Sequence, residues 1–567
     1  MSLTIINTLT HVALIGLSIV FFLVICKKSC VGGGFSEDHQ DHFEGAKWCF
    51  MLIMLIAILV RVIEFGNIPG GLNQDEARTA IDAKAILEYG TDVFGISNPA
   101  WLSTMVEANH QSVMLAWLQM PFIKVFGFSV FSIRLPMLII SLLGLVVLYL
   151  YVRDIKGERL ALVVLGLGAI CPYYIMKSRF ALDCDVFPHF TLFGMFFLNK
   201  LEKKYIYLSM VLFGLSMYCY GLSFVTIPFL LLFSAIWLYR KKLVNIKDIF
   251  VCIFIYFATS LPEWVTMVVN ALRLESVVVY GFTCPYCPYD VRRSDLLFMN
   301  FSFGQMIKNI WRAFEIVFLQ NFDISINQIR YIGPYYIFSI PFLIWGIYKV
   351  FAKCKRGKDE KENTRNVLLL LYGAAGLCTG VMVKVNVSRI GHIFYPILVL
   401  TGIGIIDIVR RRWKSRYYII GIYMLGFTLF CVKYFGGYRE TYGFYTDFCK
   451  AIIDLRDSGR GDGMLYKMSS MGGTTHTQES ILMFYHQVNP LEYQGIENME
   501  DGIPFSEKYT YYFFSVSEIE EEYIMPGEVW IVQDYFLEYL RSKYVMNVTD
   551  YGTWNVVTVA ENALEFE

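Results

Sequence analysis

The chain has 567 residues, 56% of them hydrophobic and 17% charged, with a mean hydropathy of +0.48. That composition excludes a soluble enzyme and describes a polytopic membrane protein. A formal net charge of zero excludes bulk attraction to nucleic acid.

Apolar runs of spanning length recur near 4–26, 48–66, 131–152, 160–177, 186–199, 205–221, 223–239, 249–270, 332–351, 366–383, 391–409 and 417–435. The first has no Lys or Arg before it and reads as a retained span, not a cleaved leader. The run at 186–199 is short for a span. A further run, Ser112 to Val125, carries Pro121 and Lys124 and reads as a helix in the membrane interface. With the N-terminus outside, loops 27–47, 153–159, 200–204, 240–248, 352–365 and 410–416 lie inside and hold 24 Lys and Arg. The short outer loops hold only Arg179, Lys384 and Arg389. This asymmetry predicts about 12 transmembrane helices, with loops 67–130 and 271–331 and the tail 436–567 outside.

In chain order, the first chemistry-bearing stretch is the Gly/Pro-rich loop Asn67 to Arg78, just past the second run. It contains Asp75, Glu76 and Arg78. Helix capping accounts for part of this: Asn73 or Asp75 begins a helix through Ala77, Ala80, Ile81, Ala83 and Ile86, with acid in its first turn. Capping does not explain why a Gly-Gly turn should set acid at the membrane edge. A carboxylate there can take a proton from a hydroxyl or hold a metal ion. Arg61 and Glu64, late in the preceding run, are intramembrane charges of a kind often functional; being three apart, they can instead pair with each other, and the structural reading is preferred.

Next come Arg179 and Asp183, four apart and so on one helical face, between two spans. Loop 271–331 contains Cys284 and Cys287, the one close pair among 13 cysteines. A local disulfide, two free thiols or, more remotely, a metal site all fit a lone pair of this spacing. Arg389 and His392 precede Tyr395-Pro396 at the start of a span, where an arginine can meet a phosphate. The polar tail has strand-like stretches at 509–516 and 528–532 and helical ones at Glu518–Tyr523 and Asp534–Tyr544. That pattern suits a small α/β domain. Together these groups place acid, arginine and histidine where a lipid headgroup would lie.

The arrangement resembles the GT-C superfamily of membrane glycosyltransferases, in particular family 39, the protein O-mannosyltransferases and lipid A aminoarabinose transferases. The matching elements are Asp75-Glu76 after a span, Gly127 and Arg134-Leu135-Pro136 leading into the next, Arg179 to Asp183, and Asn386 to Pro396. They cover roughly residues 48–435. Where many relatives have a Pro-Pro stretch before the interfacial helix, this chain has Asn109-His110-Gln111-Ser112, and His110 becomes a candidate for the donor phosphate. An extra N-terminal span and its loop (1–47) precede the matching part.

The resemblance implies an all-α polytopic membrane protein with a GT-C-like catalytic domain at 48–435 and a small C-terminal α/β extracytoplasmic domain at 436–567. It implies an inverting transferase that moves a sugar from a polyprenyl-phosphate donor to a hydroxyl on a glycan, lipid or protein acceptor. Asp75 would be the base and Glu76 its partner. Arg78, His110, Arg134, Arg179, Asp183, Arg389 and His392 would bind substrate. Relatives differ over a divalent metal ion, and the Asp75-Glu76 pair leaves that open. A polysaccharide polymerase or ligase shares the architecture. A lipid-linked sugar flippase is a third class; it would favour an internal repeat, and none is visible.

Overall fold

A computed structural model describes residues 45–102, 111–287, 302–356, 359–438, 444–458, 465–469, 476–490, 503–506, 509–514 and 527–560. The first predicted run, His110 and the predicted helix Glu518–Tyr523 lie outside these residues.

The membrane part is a helical bundle. It comprises α1 (Ala46–Val62), α2 (Gln74–Tyr89), α3 (Met114–Phe126), α4 (Val130–Lys156), α5 (Glu158–Ala169), α6 (Pro172–Met176), α7 (Asp183–Leu198) and α8 (Lys203–Leu215). It continues with α9 (Ser223–Arg240), α10 (Ile246–Leu272), α11 (Phe303–Phe314), α12 (Ile340–Arg356), α13 (Glu360–Met382), α14 (Phe394–Arg411) and α15 (Ser415–Gly437). Among the described residues, seven helices are long and apolar enough to cross a bilayer. Four other predicted runs are helical but shorter, as α1, α5, α7 and α8. The run at 112–125 forms α3, a 13-residue helix.

Local chemistry sets the boundaries. The Ser129 hydroxyl accepts the Ser132 N–H to start α4, and Gly157, at φ 87°, ends it. Asn245 and Asp248 form a capping box at the start of α10. The bundle tightens where α12 crosses α14. A Cβ on Gly346 would lie 1.8 Å from the Leu400 carbonyl oxygen, and one on Gly404 would lie 2.0 Å from that of Phe342. Only glycine permits so close a crossing. Outward-facing Phe250 and Phe254 on α10 and Leu425 and Val432 on α15 are exposed. An apolar belt of this kind is stable against lipid, not water.

The segments after α1 and after α10 join through short strands. Strands β1 (Trp101–Leu102) and β2 (Gln111–Ser112) pair antiparallel. So do β3 (Val277–Val279) and β4 (Phe282–Cys284). The Thr283 carbonyl accepts the Ala100 N–H at 2.8 Å, and the Thr283 N–H donates to the Asn98 carbonyl at 3.0 Å. Cys284 and Cys287 are both free thiols and buried.

The tail carries α16 (Thr446–Asp457), α17 (His476–Tyr485), α18 (Asp534–Arg541) and a six-stranded sheet. Its strands are β5 (Leu465–Ser469), β6 (Ile503–Ser506), β7 (Tyr509–Phe514), β8 (Val529–Gln533), β9 (Met546–Asp550) and β10 (Trp554–Val559), in the order β6-β7-β5-β8-β10-β9. The central β5 is parallel to both neighbours, and the outer pairs are antiparallel. Trp530, Val532, Phe536, Leu540 and Val557 make a compact core between β8, β10 and α18. The predicted strands at 509–516 and 528–532 appear as β7 and β8, and the helix from Asp534 as α18. Strands β5, β6, β9 and β10 lie outside the predicted stretches.

Candidate active site

The loop after α1 is held by an ion pair with no solvent contact. Arg134 and Glu76 are both fully buried, with Nε to Oε1 at 2.9 Å and Nη2 to Oε2 at 3.0 Å. The Glu76 carboxylate also accepts the N–H of Asn73 at 3.1 Å and of Ala181 at 2.7 Å. Arg134 donates further to the carbonyls of Pro69 and Gly71, both at 2.9 Å. One residue pair thus ties together the Gly-Gly loop, the first turn of α2, the start of α4 and the segment before α7. Neither side chain reaches solvent.

Arg179 is spent in a similar way. It is fully buried, and its guanidinium donates to the carbonyls of Val60, Arg61, Ile63 and Ile68 at 2.6–3.2 Å. Those of Val60, Arg61 and Ile63 are orphan acceptors at the C-terminal end of α1, where a cation is favoured, and that of Ile68 lies in the loop beyond. Tyr434 and Phe435 cover its flat face. Arg61 does not pair with Glu64. It donates to the Ala169 and Gly168 carbonyls at the end of α5, at 3.0 and 3.3 Å. Glu64 accepts from the Asn67 side chain.

Asp75 differs from all of these. It is half-buried in the first turn of α2, and its backbone N–H donates to the Asn73 side chain at 2.9 Å. Its own carboxylate has no hydrogen-bond or ion-pair partner among the described residues. Arg78 follows three residues later, hence on the same helical face. Only its Nε is engaged, donating to the Ser480 hydroxyl at 2.9 Å. Its two terminal nitrogens have no hydrogen-bond or ion-pair partner among the described residues.

Strand β2 brings a second acid alongside. The Ser112 N–H donates to Asp183 Oδ2 at 3.3 Å. The neighbouring Gln111 amide reaches the Asp75 carbonyl at 3.5 Å and accepts from the Thr79 hydroxyl at 3.0 Å. The backbone of Asp75 and the carboxylate of Asp183 therefore border one short strand.

Arg389 and His392 are placed elsewhere. Arg389 is half-buried and donates to the Lys384 carbonyl at 2.8 Å, while its N–H is taken by the Asn386 side chain. The His392 ring is buried edge-on to Phe187, 5.1 Å between centroids, with no solvent contact to share with Asp75.

Three features escaped the sequence reading. Lys177 is buried against Asp185 at 3.3 Å and also donates to Asn327 and Ser388, at 3.1 and 3.0 Å. Glu263 of α10 accepts the Trp101 indole N–H at 2.5 Å. An acid inside the apolar run 249–270 was the available signal for it. A groove of about 510 Å³ runs beside α3, lined by Ile86, Leu87, Trp117, Met120, Pro121 and Phe282. In the sequence, Gln111 and Ser112 carry no signal beyond standing where many relatives have a Pro-Pro stretch.

A divalent metal fits poorly here. Both oxygens of Glu76 are committed to Arg134 and backbone N–H groups. Among the described residues no three His, Cys, Asp or Glu side chains converge in the manner of a metal site.

Residues 110–265 match the family model described as dolichyl-phosphate-mannose-protein mannosyltransferase. The chain is also similar to solved structures. ArnT from Cupriavidus metallidurans, solved bound to undecaprenyl phosphate, superposes with a TM-score of 0.55 at 11% identity, over 91% of this chain and 98% of that one. This chain has the GT-C fold. The Archaeoglobus fulgidus oligosaccharyltransferase agrees, with a TM-score of 0.51 at 13% identity over 92% of this chain and 74% of that one, in a form tethered to an acceptor peptide. Its apo form gives 0.50 at 12% identity, over 78% and 64%. Among curated proteins, none matches the sequence.

Proposed function

We propose that this chain transfers a sugar from a polyprenyl-phosphate donor to an acceptor hydroxyl at the exoplasmic face of the membrane, with Asp75 as the base and Arg78 as the phosphate ligand. One observation carries the reading. Asp75 and Arg78 have unpartnered polar ends one helical turn apart, while Glu76, Arg134 and Arg179 around them are consumed by the scaffold. The fold shared with a protein solved on undecaprenyl phosphate supports this choice of donor.

The chemistry is one displacement. The acceptor hydroxyl approaches the anomeric carbon opposite the phosphate, and its proton passes to the Asp75 carboxylate as the new C–O bond forms. The bond from carbon to phosphate oxygen breaks and its electron pair leaves with the polyprenyl phosphate, so the configuration inverts. A carboxylate is a weak base, and it works by position: it receives the proton late, when the oxygen is already becoming an oxonium. Charge grows on the departing phosphate, and the Arg78 guanidinium offsets it without any proton movement. Asp183 borders the same strand and suits a hydroxyl of the sugar or acceptor. The groove beside α3 is apolar and suits a lipid portion of either substrate.

The test is mass spectrometry of lipid-linked sugars and envelope glycans in a strain lacking this chain. A missing decoration together with an accumulated polyprenyl-phosphate sugar is the expected result, restored by the wild-type chain and not by Asp75→Asn. An unchanged set of decorated products would refute the transferase reading.

A further inference from the structure

The tail is packed against the very helix that carries Asp75 and Arg78. Helix α17 runs parallel to α2, and the pairings advance together along both. The Thr477 hydroxyl donates to Gln74, Arg78 Nε donates to Ser480, Lys84 to the Gln487 carbonyl at 3.4 Å, and Tyr89 to Asn489 at 3.1 Å. Phe484 packs on Phe128, 4.6 Å between ring centroids. At the other end of the loop, the Leu72 N–H donates to the Phe444 carbonyl at 2.8 Å, and the Thr446 hydroxyl donates to the Gly70 carbonyl at 3.0 Å. Gly71 has φ +73°, and a Cβ there would sit 2.1 Å from the Phe444 carbonyl oxygen. The acid loop is therefore pressed directly onto the start of α16.

From this geometry we infer that the tail is part of the phosphate site: Ser480 is a positioning residue that fixes the Arg78 guanidinium, and Thr446 is one that fixes the loop before Asp75. This rests on the donor reading above and deepens it. An arginine side chain has several rotatable bonds, and freezing them costs entropy on each binding event. Ser480 accepts at Nε, the one nitrogen that leaves the two-pronged Nη face open for a bidentate phosphate contact. The hydroxyl contributes orientation, and the guanidinium contributes charge.

Two readouts on the full-length protein separate the possibilities. One is the affinity of purified protein for undecaprenyl phosphate, and the other is backbone hydrogen exchange across residues 67–79. Ser480→Ala should weaken binding about fivefold, the net worth of a typical intramolecular hydrogen bond, and Ser480→Thr should restore it. Thr446→Val should speed exchange at the Leu72 amide about fivefold with the fold intact. Arg78→Ala is the reference. If it leaves the affinity unchanged, the donor reading fails at that residue, and with it the role of Ser480. If Arg78→Ala weakens binding while Ser480→Ala binds as wild type, the inference about Ser480 alone is overturned. Unchanged exchange in Thr446→Val overturns the role of Thr446.

Discussion

The base and the tip of the acid loop use the same residue types for opposite ends. At the base, Glu76, Arg134 and Arg179 are dry and fully bonded: both oxygens of Glu76 accept from Arg134 and from backbone N–H groups, and the nitrogens of both guanidinium groups donate to Glu76 or to backbone carbonyls. At the tip, Asp75 and Arg78 sit on the same helix, partly open, with carboxylate and guanidinium ends unpartnered among the described residues. Buried charge requires a partner, whereas a group meant for a transient ligand must be left without one. The contrast separates scaffold from site where residue type cannot.

Breaking the base should have the largest effect. Arg134→Leu leaves Glu76 as an uncompensated buried charge, a loss of about 3–5 kcal/mol for pairs of this kind. Thermal unfolding in detergent should show collapse or failure to express, and a near-wild-type melting curve would refute the structural role. Gly71→Ala comes next. Its methyl would require both a left-handed backbone and displacement of the Phe444 carbonyl, a cost of about 1–3 kcal/mol. The same melting experiment should read a lower midpoint, and limited proteolysis should cut near residue 71 first.

A smaller effect is expected beside the tip. Asp82, buried on α2, accepts the Val93 N–H at 3.0 Å, and burial followed by repulsion from buried Asp92 raises its carboxyl well above the usual range. A folded-state pKa above the unfolded one means the native state binds the proton more tightly. Its contribution is therefore favourable in acid and is lost as pH rises above the ordinary carboxylate value toward the raised one. Asp82→Asn keeps the acceptor oxygen and removes the charge. It should raise the midpoint at pH 8 and flatten the decline between pH 5 and 8. A variant with the wild-type pH profile would exclude Asp82 as its source.

Much of the bundle was legible because lipid enforces a simple rule. Apolar runs between charged loops must be helical, and each predicted run within the described residues is mostly so. The capping of α2 by Asn73 was legible too, since an Asx residue three before a Glu is a local pattern. The fate of the arginines was not. Arg134 and Arg179 had the right type and place for a phosphate, but carbonyls 63–119 positions away consume them. Nothing in a linear pattern reports which backbone groups a fold leaves unsatisfied. Ser480, 402 residues from Arg78, was hidden for the same reason. The mixed sheet of the tail escaped because β9 and β10 are short, polar-flanked strands with weak alternation.

The most direct test compares Asp75→Asn with Glu76→Gln in purified protein, measuring melting temperature and turnover of the polyprenyl-phosphate sugar found to accumulate in the deletion strain. The account predicts that Asp75→Asn melts like wild type and turns over at least a thousandfold more slowly, consistent with loss of a positioned base, while Glu76→Gln melts markedly lower. Full turnover by a stable Asp75→Asn protein, or a Glu76→Gln protein as stable as wild type, would contradict it.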